Sequence, residues 1–254
     1  STEDRAEQEF ASPYKIVSMD DLDKVRIEIF IKAKGIDRTQ EFIDAIERAD
    51  AWSFTARPQD LEELVEFWLD KGVIGNRLGL LQNSIDRRLV ERDQDRDELR
   101  SLTADRARSG VVLLAAAVTL SKQQDIRVPD GAHNSKGISV SEVLSDWTSN
   151  DCSTLLSRPI FDEAIYGTVR FHHRSVREFL TAQWFSQLLL MTTSRRNIFS
   201  LLFREQYGKK VVVPTFRPVL PWLALLDGEV CDRLCEIEPE VLLEGGDPSN
   251  LPLE

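Results

Sequence analysis

The sequence predicts a mainly α-helical protein, and three observations point to that class. Apolar residues recur at helical spacing along much of the chain, only one short pair of strand-like segments stands out, and prolines separate short helical stretches near the C-terminus. The chain has 254 residues, of which 42% are hydrophobic and 30% charged. That is enough for one large core or two to three small ones. We therefore expect helices to supply most of the core.

Residues 1–109 form the first predicted region, which is helical with short connections. Residues 20–34 fit a helix with apolar positions at Leu22, Val25, Ile29 and Ala33. The same residues also fit a strand, with alternation at Val25, Ile27, Ile29 and Ile31. Gly35 is a typical stop for a helix, so we favour the helix. The next helix has Phe42, Ile43 and Ile46 as its predicted buried face.

Pro58 opens the most regular helix of the chain. Proline is favoured at the first helical position, because its missing N–H would have no intrahelical partner there. The apolar face predicted for this helix consists of Leu61, Leu64, Val65, Trp68 and Leu69. Gly72 ends the helix. The interleaved charges of residues 86–108 are typical of a solvated helix.

Residues 110–192 form the second predicted region. A buried helix comes first, two short helices follow a loop over residues 124–137, and a β-hairpin then spans residues 159–171 with its turn near Tyr166 and Gly167. A long amphipathic helix runs from Arg174 to about residue 190. Short helices, a hairpin and a long helix are arranged as in a winged-helix domain.

Residues 193–254 form the third predicted region, in which short helices alternate with proline-bearing turns. The prolines are Pro214, Pro218, Pro221, Pro239 and Pro248. Short helices joined by such turns are typical of the start of an α-solenoid.

Composition excludes several classes of function. The net charge of −11 argues against a general binder of nucleic acid or of anionic membranes. Three cysteines are too few for a disulfide framework, which favours a reducing, cytoplasmic location. The sequence shows no targeting segment and no apolar run near the ~20 residues of a membrane span. Cys231 and Cys235 lie one helical turn apart, but no nearby histidine completes a metal site, so we predict none.

The sequence contains no recognisable catalytic motif. We find neither a phosphate-binding G-x-x-x-x-G-K-[ST] loop nor a strand ending in paired acids for Mg²⁺, so this chain alone should not hydrolyse ATP and should hold no cofactor by itself. We also find no Ser-His-Asp, Cys-His or H-E-x-x-H arrangement. Of the three histidines, His133 lies in the predicted loop, and His172 and His173 lie where the hairpin meets the long helix.

The hairpin-to-helix junction carries the most specific pattern in the chain. It reads Phe171, His172, His173, Arg174, Ser175, Val176, Arg177, Glu178, Phe179 and Leu180. An imidazole N–H there could donate to a phosphate oxygen, because an ordinary pKa near 6.5 allows a phosphate to favour the charged ring. The alternative is that the histidine only caps or packs the junction.

The junction resembles the F-x-H-x-[ST]-x-x-E-[FY]-L signature that closes the winged-helix domain of NACHT proteins. These belong to the STAND class of signal-transducing NTPases, which includes NOD-like receptors and bacterial antiviral sensors. Residues 55–58, Thr-Ala-Arg-Pro, are similar to the proline motif of the family's helical lid. Residues 216–249 look like the linker into helical repeats in bacterial members. The resemblance extends from about Tyr14 to the C-terminus.

The resemblance implies a role for two residues in the intact ATPase. Pro58 matches the family's proline that packs against the adenine. His173 matches the histidine that reaches the β-phosphate of bound ADP and locks the resting state. His172 stands where the family usually has an apolar residue. The chain would then be the regulatory portion of an ADP/ATP and Mg²⁺-dependent switch. Its implied partners are an upstream NTPase core, downstream helical repeats and further copies on activation.

Two other functions fit the residues. A winged-helix domain can bind nucleic acid, and Arg158, Arg170, Arg174 and Arg177 cluster near the hairpin. The predicted recognition helix over residues 150–157 carries no basic residue, however, and the whole chain is acidic. The other function is a helical protein-interaction scaffold without a ligand.

Overall fold

The computed structural model describes residues 22–56, 58–89, 102–129, 136–164, 167–191 and 195–251. Helices dominate these residues, so the mainly α class is confirmed. The chain divides into two compact units at the boundary between Gly75 and Asn76. The three regions predicted from the sequence, residues 1–109, 110–192 and 193–254, stay predictions.

The described part of the first unit is helical. It contains α1 (Lys24–Ala33), α2 (Thr39–Arg48), a 3₁₀ turn (Trp52–Phe54) and α3 (Pro58–Lys71). The predicted face of α2 is confirmed, because Phe42, Ile43 and Ile46 are all buried. Phe42 meets the ring of Trp68 edge-on with the ring centroids 5.4 Å apart, which joins α2 to α3.

Two of these helices depart from the apolar faces predicted for them. Helix α1 forms as favoured, but its predicted face is wrong, because Ile27 and Ile31 are buried while Val25 and Ile29 are 66% and 63% exposed. In α3 the prediction for Leu69 is wrong, since this residue is 59% exposed. A small unit covers only a limited stripe of each helix. The spacing of apolar residues therefore does not show by itself which of them are buried.

The second unit begins with helices and a small sheet. Its first elements are α4 (Arg77–Arg88), α5 (Ala104–Ser121), β1 (Ile126–Arg127), β2 (Ile138–Ser139), α6 (Val140–Val143), α7 (Ser149–Leu156), β3 (Phe161–Glu163), β4 (Thr168–Phe171) and α8 (Arg174–Leu189). The strand order is β2-β1-β4-β3, with β1 and β2 parallel and the other pairs antiparallel. The predicted order of a buried helix, two short helices, a hairpin and a long helix is present, with the short strands β1 and β2 lying between the first helix and the next two.

The predicted hairpin is confirmed as β3 and β4. Phe161 pairs with Phe171, and Glu163 pairs with Val169. Tyr166, predicted at the turn, lies outside the described residues, as does His133. Helix α8 begins at Arg174, as the sequence predicts.

The rest of the second unit departs from the prediction at one place. Its elements are α9 (Arg195–Leu202), β5 (Phe203–Gln206), β6 (Lys209–Val212), α10 (Leu220–Ala224) and α11 (Gly228–Ile237), with 3₁₀ turns at Pro214–Phe216, Pro239–Leu243 and Pro248–Asn250. The expectation of one hairpin is wrong, because β5 and β6 form a second antiparallel pair. Residues 204–210 are all exposed, so this hairpin has no alternation of buried and polar residues to reveal it.

Helix α8 is held on several sides. Thr181 meets Thr119 of α5, with the two hydroxyl oxygens 3.0 Å apart. Phe179 contacts Trp222 of α10 edge-on at 5.6 Å between ring centroids, and Phe185 contacts Phe216 at 5.5 Å. These contacts hold the middle of α8 against α5, α10 and the 3₁₀ turn at Pro214–Phe216.

A buried carboxylate ties the end of the described chain to the start of the second unit. Asp247, 3% exposed, accepts a hydrogen bond of 3.0 Å from the backbone N–H of Leu78 in the first turn of α4. Its neighbour Gly246 has φ +68°, and a Cβ there would lie 2.8 Å from the backbone of Pro221. A side chain at residue 246 would therefore disturb this contact.

Candidate functional site

The site is built where β4 ends and α8 begins. In the hairpin, Phe161 and Val169 are buried, and the rings of Phe161 and Phe171 lie 4.9 Å apart. On the opposite face, Arg170 forms an ion pair with Asp125, and this hydrogen bond raises the pKa of Arg170. The hairpin is thus anchored on both faces before the chain reaches the two histidines.

His172 has a structural partner. Its backbone N–H donates to the carbonyl of Ile160 over 2.9 Å, and its ring Nδ1 lies 2.5 Å from Oδ1 of Asp162 on β3. The His172 side chain is only 7% exposed. A carboxylate beside Nδ1 favours the tautomer that carries the proton there. This pairing, which the sequence did not reveal, gives His172 a structural role in the hairpin.

His173 is the N-cap residue of α8. Its backbone is extended, with φ −118° and ψ 138°, and its side chain makes no capping hydrogen bond. The rings of His172 and His173 meet edge-on at 4.6 Å between centroids. No acidic residue occupies the first turn of this 16-residue helix. The partial positive charge of the helix N-terminus is therefore not balanced by a carboxylate in that turn.

The first two turns of α8 carry a charged cluster. Arg174 donates from Nε to Oε1 of Glu178 over 2.5 Å. Burial raises the pKa of Glu178, although Arg174, Arg177 and Arg77 each act to lower it. Three guanidinium groups thus act electrostatically on one carboxylate, and Arg174 is the one hydrogen-bonded to it.

Arg177 is a half-buried member of this cluster. Burial lowers the pKa of Arg177, and Glu178 offsets this effect only in part. The Nε of Arg177 is shielded from solvent and has no hydrogen-bond acceptor among the described residues. A buried donor left without an acceptor costs about 1–3 kcal/mol, and more when the group is charged.

Pro58, the other predicted site residue, belongs to the first unit. It is exposed and begins α3, as its position in the sequence predicts. A proline needs no ligand to explain its presence at the start of a helix. Its role beside an adenine stays a prediction.

Besides Arg174, two more of the four arginines near the hairpin have partners within the fold. Arg158 is 4% exposed and donates to the backbone carbonyls of Leu89 and Leu102. Arg170 is paired with Asp125. Helix α7, where a recognition helix is expected, begins with a capping box between Thr148 and Asp151. These contacts leave less positive surface for a nucleic-acid backbone than the sequence suggests.

Comparison with protein-family models and with curated proteins finds no match for this chain. Within the described residues, no helix combines the length and apolar character needed to cross a membrane. The functional interpretation therefore rests on the residues of the junction and their geometry.

Proposed function

We propose that this chain is the nucleotide-state-sensing, autoinhibitory portion of a STAND-class NTPase of the NACHT type, of the kind that serves as a prokaryotic immune sensor in the cytoplasm. The upstream NTPase core would bind ADP or ATP with Mg²⁺, and helical repeats would follow this chain. In this proposal His173 holds the β-phosphate of ADP in the resting state. Release of that contact would permit assembly with further copies.

The position of His173 carries the proposal. The residue stands at the N-terminus of a long helix without acidic residues in its first turn. Helix N-termini favour anions, because backbone N–H groups and the helix dipole both point at the ligand. The pairing of His172 with Asp162 makes His172 part of the hairpin. This supports assigning the phosphate contact to His173 and not to His172. The match of residues 171–179 to the family signature supplies the identity of the anion.

The test compares ADP retention in the full-length ATPase. We expect His173→Ala to weaken ADP binding by roughly 10- to 150-fold, which corresponds to a lost charge-assisted bond of about 1.5–3 kcal/mol. The matched control is His172→Asn, whose side-chain amide can still donate to Asp162. This control should retain ADP like the wild type. Co-purified ADP is measured after denaturation, together with basal activity.

Two outcomes would contradict the proposal. Equal ADP occupancy in the wild type and in His173→Ala would leave His173 as a packed junction residue. Binding of duplex DNA that weakens steeply between about 50 and 200 mM salt would favour the nucleic-acid alternative instead. The two engaged arginines, Arg158 and Arg170, argue against that second result.

A further inference from the structure

The tip of the β5–β6 hairpin presents a tyrosine to solvent. Tyr207 is 96% exposed, and all of residues 204–210 are exposed around it. Tyr207 and Gly208 form a two-residue turn between Gln206 and Lys209, with φ +53° and +74°. Asparagine is favoured at the first position of such a turn, because a bulky residue is strained at positive φ. The chain therefore has an aromatic side chain where it adds neither packing nor an easier turn.

One face of this hairpin is basic. Side chains alternate between the two faces of a strand, so the register assigns each residue to a face. The face whose base is buried carries a balanced pair, since Glu205 lies opposite Lys210. The other face, the basic face, consists of Arg204, Gln206, Lys209 and Val211. Arg204 and Lys209 give it two positive charges and no carboxylate, and within the described residues neither forms an ion pair.

A surface of opposite charge lies on the same chain, at α6 and α7. Residues 141–157 carry three acidic residues and no lysine, arginine or histidine. Two of the acids, Glu142 and Asp146, are exposed. The third, Asp151, forms an ion pair with Arg106 over 3.4 Å. Two negative charges on this surface are thus available to a partner.

An aromatic ring lies beside these two acids in the sequence. Trp147 follows Asp146 directly and is half-buried. Its ring packs against α5, because a Cβ added at Gly110 would lie 2.7 Å from it, and Arg106 lies over the ring 4.9 Å from the centroid. A side chain that is already held in place loses little conformational freedom when a partner contacts it. We call Glu142, Asp146 and Trp147 the acidic surface.

We propose that Tyr207 and the basic face of one molecule dock on the acidic surface of a second copy. Two positive charges then meet two negative charges, and the Tyr207 ring adds apolar contact beside Trp147. Tyrosine and arginine are both enriched in protein–protein interfaces. The net charge of −11 on each copy does not prevent the contact, because at physiological salt charges more than about 8 Å apart are largely screened. The inference goes beyond the proposed function, since it needs neither a nucleotide nor His173.

Sedimentation velocity of this chain at increasing concentration tests the contact. A single hairpin buries less area than a standard interface, so we expect reversible association over roughly 10–500 µM. The two contacting surfaces differ, so the contact is head-to-tail, and species larger than a dimer should form. Raising sodium chloride from about 50 to 500 mM should weaken the association, because the charges are exposed.

Complementation between two variants identifies the two surfaces. Arg204→Gln with Lys209→Gln removes the charge of the basic face, and Glu142→Gln with Asp146→Asn removes the charge of the acidic surface. Each variant should remain monomeric by itself. An equimolar mixture should form a heterodimer and nothing larger, because each variant keeps the surface that the other has lost. Circular dichroism verifies that both variants are folded.

Tyr207→Asn separates docking from folding. Asparagine eases the turn, so the melting temperature should equal or exceed that of the wild type. The dissociation constant should nevertheless rise at least about tenfold, because an aromatic anchor is lost. The matched control is Glu205→Gln with Lys210→Gln, which changes the other face of the same hairpin and leaves the net charge unchanged. This control should associate like the wild type.

Four outcomes would overturn the inference. They are a wild type that stays monomeric, a mixture without heterodimer, wild-type association in Tyr207→Asn, and binding of duplex DNA that is lost with the basic face. The last outcome would assign the hairpin to nucleic acid instead. His173→Ala should associate like the wild type, so failure of the proposed nucleotide contact would leave this inference intact.

Discussion

The two hairpins of the second unit have the same local motif but different sources of stability. The β3–β4 hairpin pairs with β1 along β4, and its Phe161 and Val169 are buried. The β5–β6 hairpin has no third strand within the described residues, and only its base, at Val212, is buried. Its turn places Tyr207 and Gly208 at φ +53° and +74°. The first hairpin is thus held by packing, and the second depends on its turn and on its base.

This difference shows which hairpin can position a ligand. Packing fixes the end of β4, and with it His172, His173 and the first turn of α8. The second hairpin extends into solvent, and a two-stranded hairpin without further packing is only marginally stable. Function that depends on accurate geometry therefore belongs with the first hairpin.

The largest expected effect comes from the core of the first hairpin. Phe161→Ala should lower the free energy of unfolding by about 3–5 kcal/mol, because it opens a cavity beside Phe171. The matched variant in the second hairpin is Phe203→Ala, in which the ring is only half-buried and lies 5.7 Å from Phe199. Urea unfolding of both variants measures the difference. Equal losses would contradict the comparison between the hairpins.

A smaller effect is expected at the turn of the second hairpin. Gly208→Ala should cost about 1 kcal/mol, because an L-residue is strained at a φ of +74°. A Cβ there would have no atom within 4 Å, so the backbone alone sets the cost. Gly228→Ala is the control, since it also opens into empty space but has no positive φ. If both variants unfold at the same urea concentration, the turn does not stabilise the second hairpin.

The smallest effect concerns pH and the charged start of α8. Burial raises the pKa of Glu178 above its ordinary value of 4.5, so the folded protein binds more protons than the unfolded chain. Stability should therefore fall as pH rises from about 4.5 through the raised pKa. Glu178→Gln should reduce this dependence of stability on pH. It should change the free energy of unfolding by less than about 1 kcal/mol, since its partner Arg174 is mostly exposed.

Urea unfolding across this pH range tests the expectation. Glu205→Gln in the second hairpin is the control, because it removes an exposed carboxylate that faces Lys210 across the strands. We expect no comparable flattening in that variant. A slope in Glu178→Gln equal to that of the wild type would show that burial of this carboxylate does not affect the pH dependence.

The sequence predicted the helices and the first hairpin because each has a strong local signal. Phe42, Ile43 and Ile46 have clear helical spacing, and the hairpin precedes an amphipathic helix. Strands β1 and β2 were not predicted, because a strand of two residues is too short to show an alternation of apolar and polar residues. The burial of Ile27 in place of Val25 depends on neighbouring helices, which local spacing does not encode.

The candidate site could be predicted only in part from the sequence. The sequence placed His173 where the hairpin meets the long helix, whereas the pairing of His172 with Asp162 depends on the register of β3 and β4. Arg177 could be placed one turn after His173, but nothing in its spacing reveals that its Nε is buried without an acceptor. Burial and hydrogen bonding are properties of the folded chain.

The contact between Asp247 and Leu78 has a consequence for synthesis of the protein on the ribosome. The two residues are 169 positions apart, so α4 emerges long before the carboxylate that satisfies its first turn. At about 5–20 residues per second, the interval is roughly 10–30 s. The first unit, whose helices lie close together in sequence, has no such delay. During translation the backbone N–H of Leu78 therefore lacks its carboxylate acceptor until residue 247 has left the exit tunnel. The second unit cannot complete this contact before then.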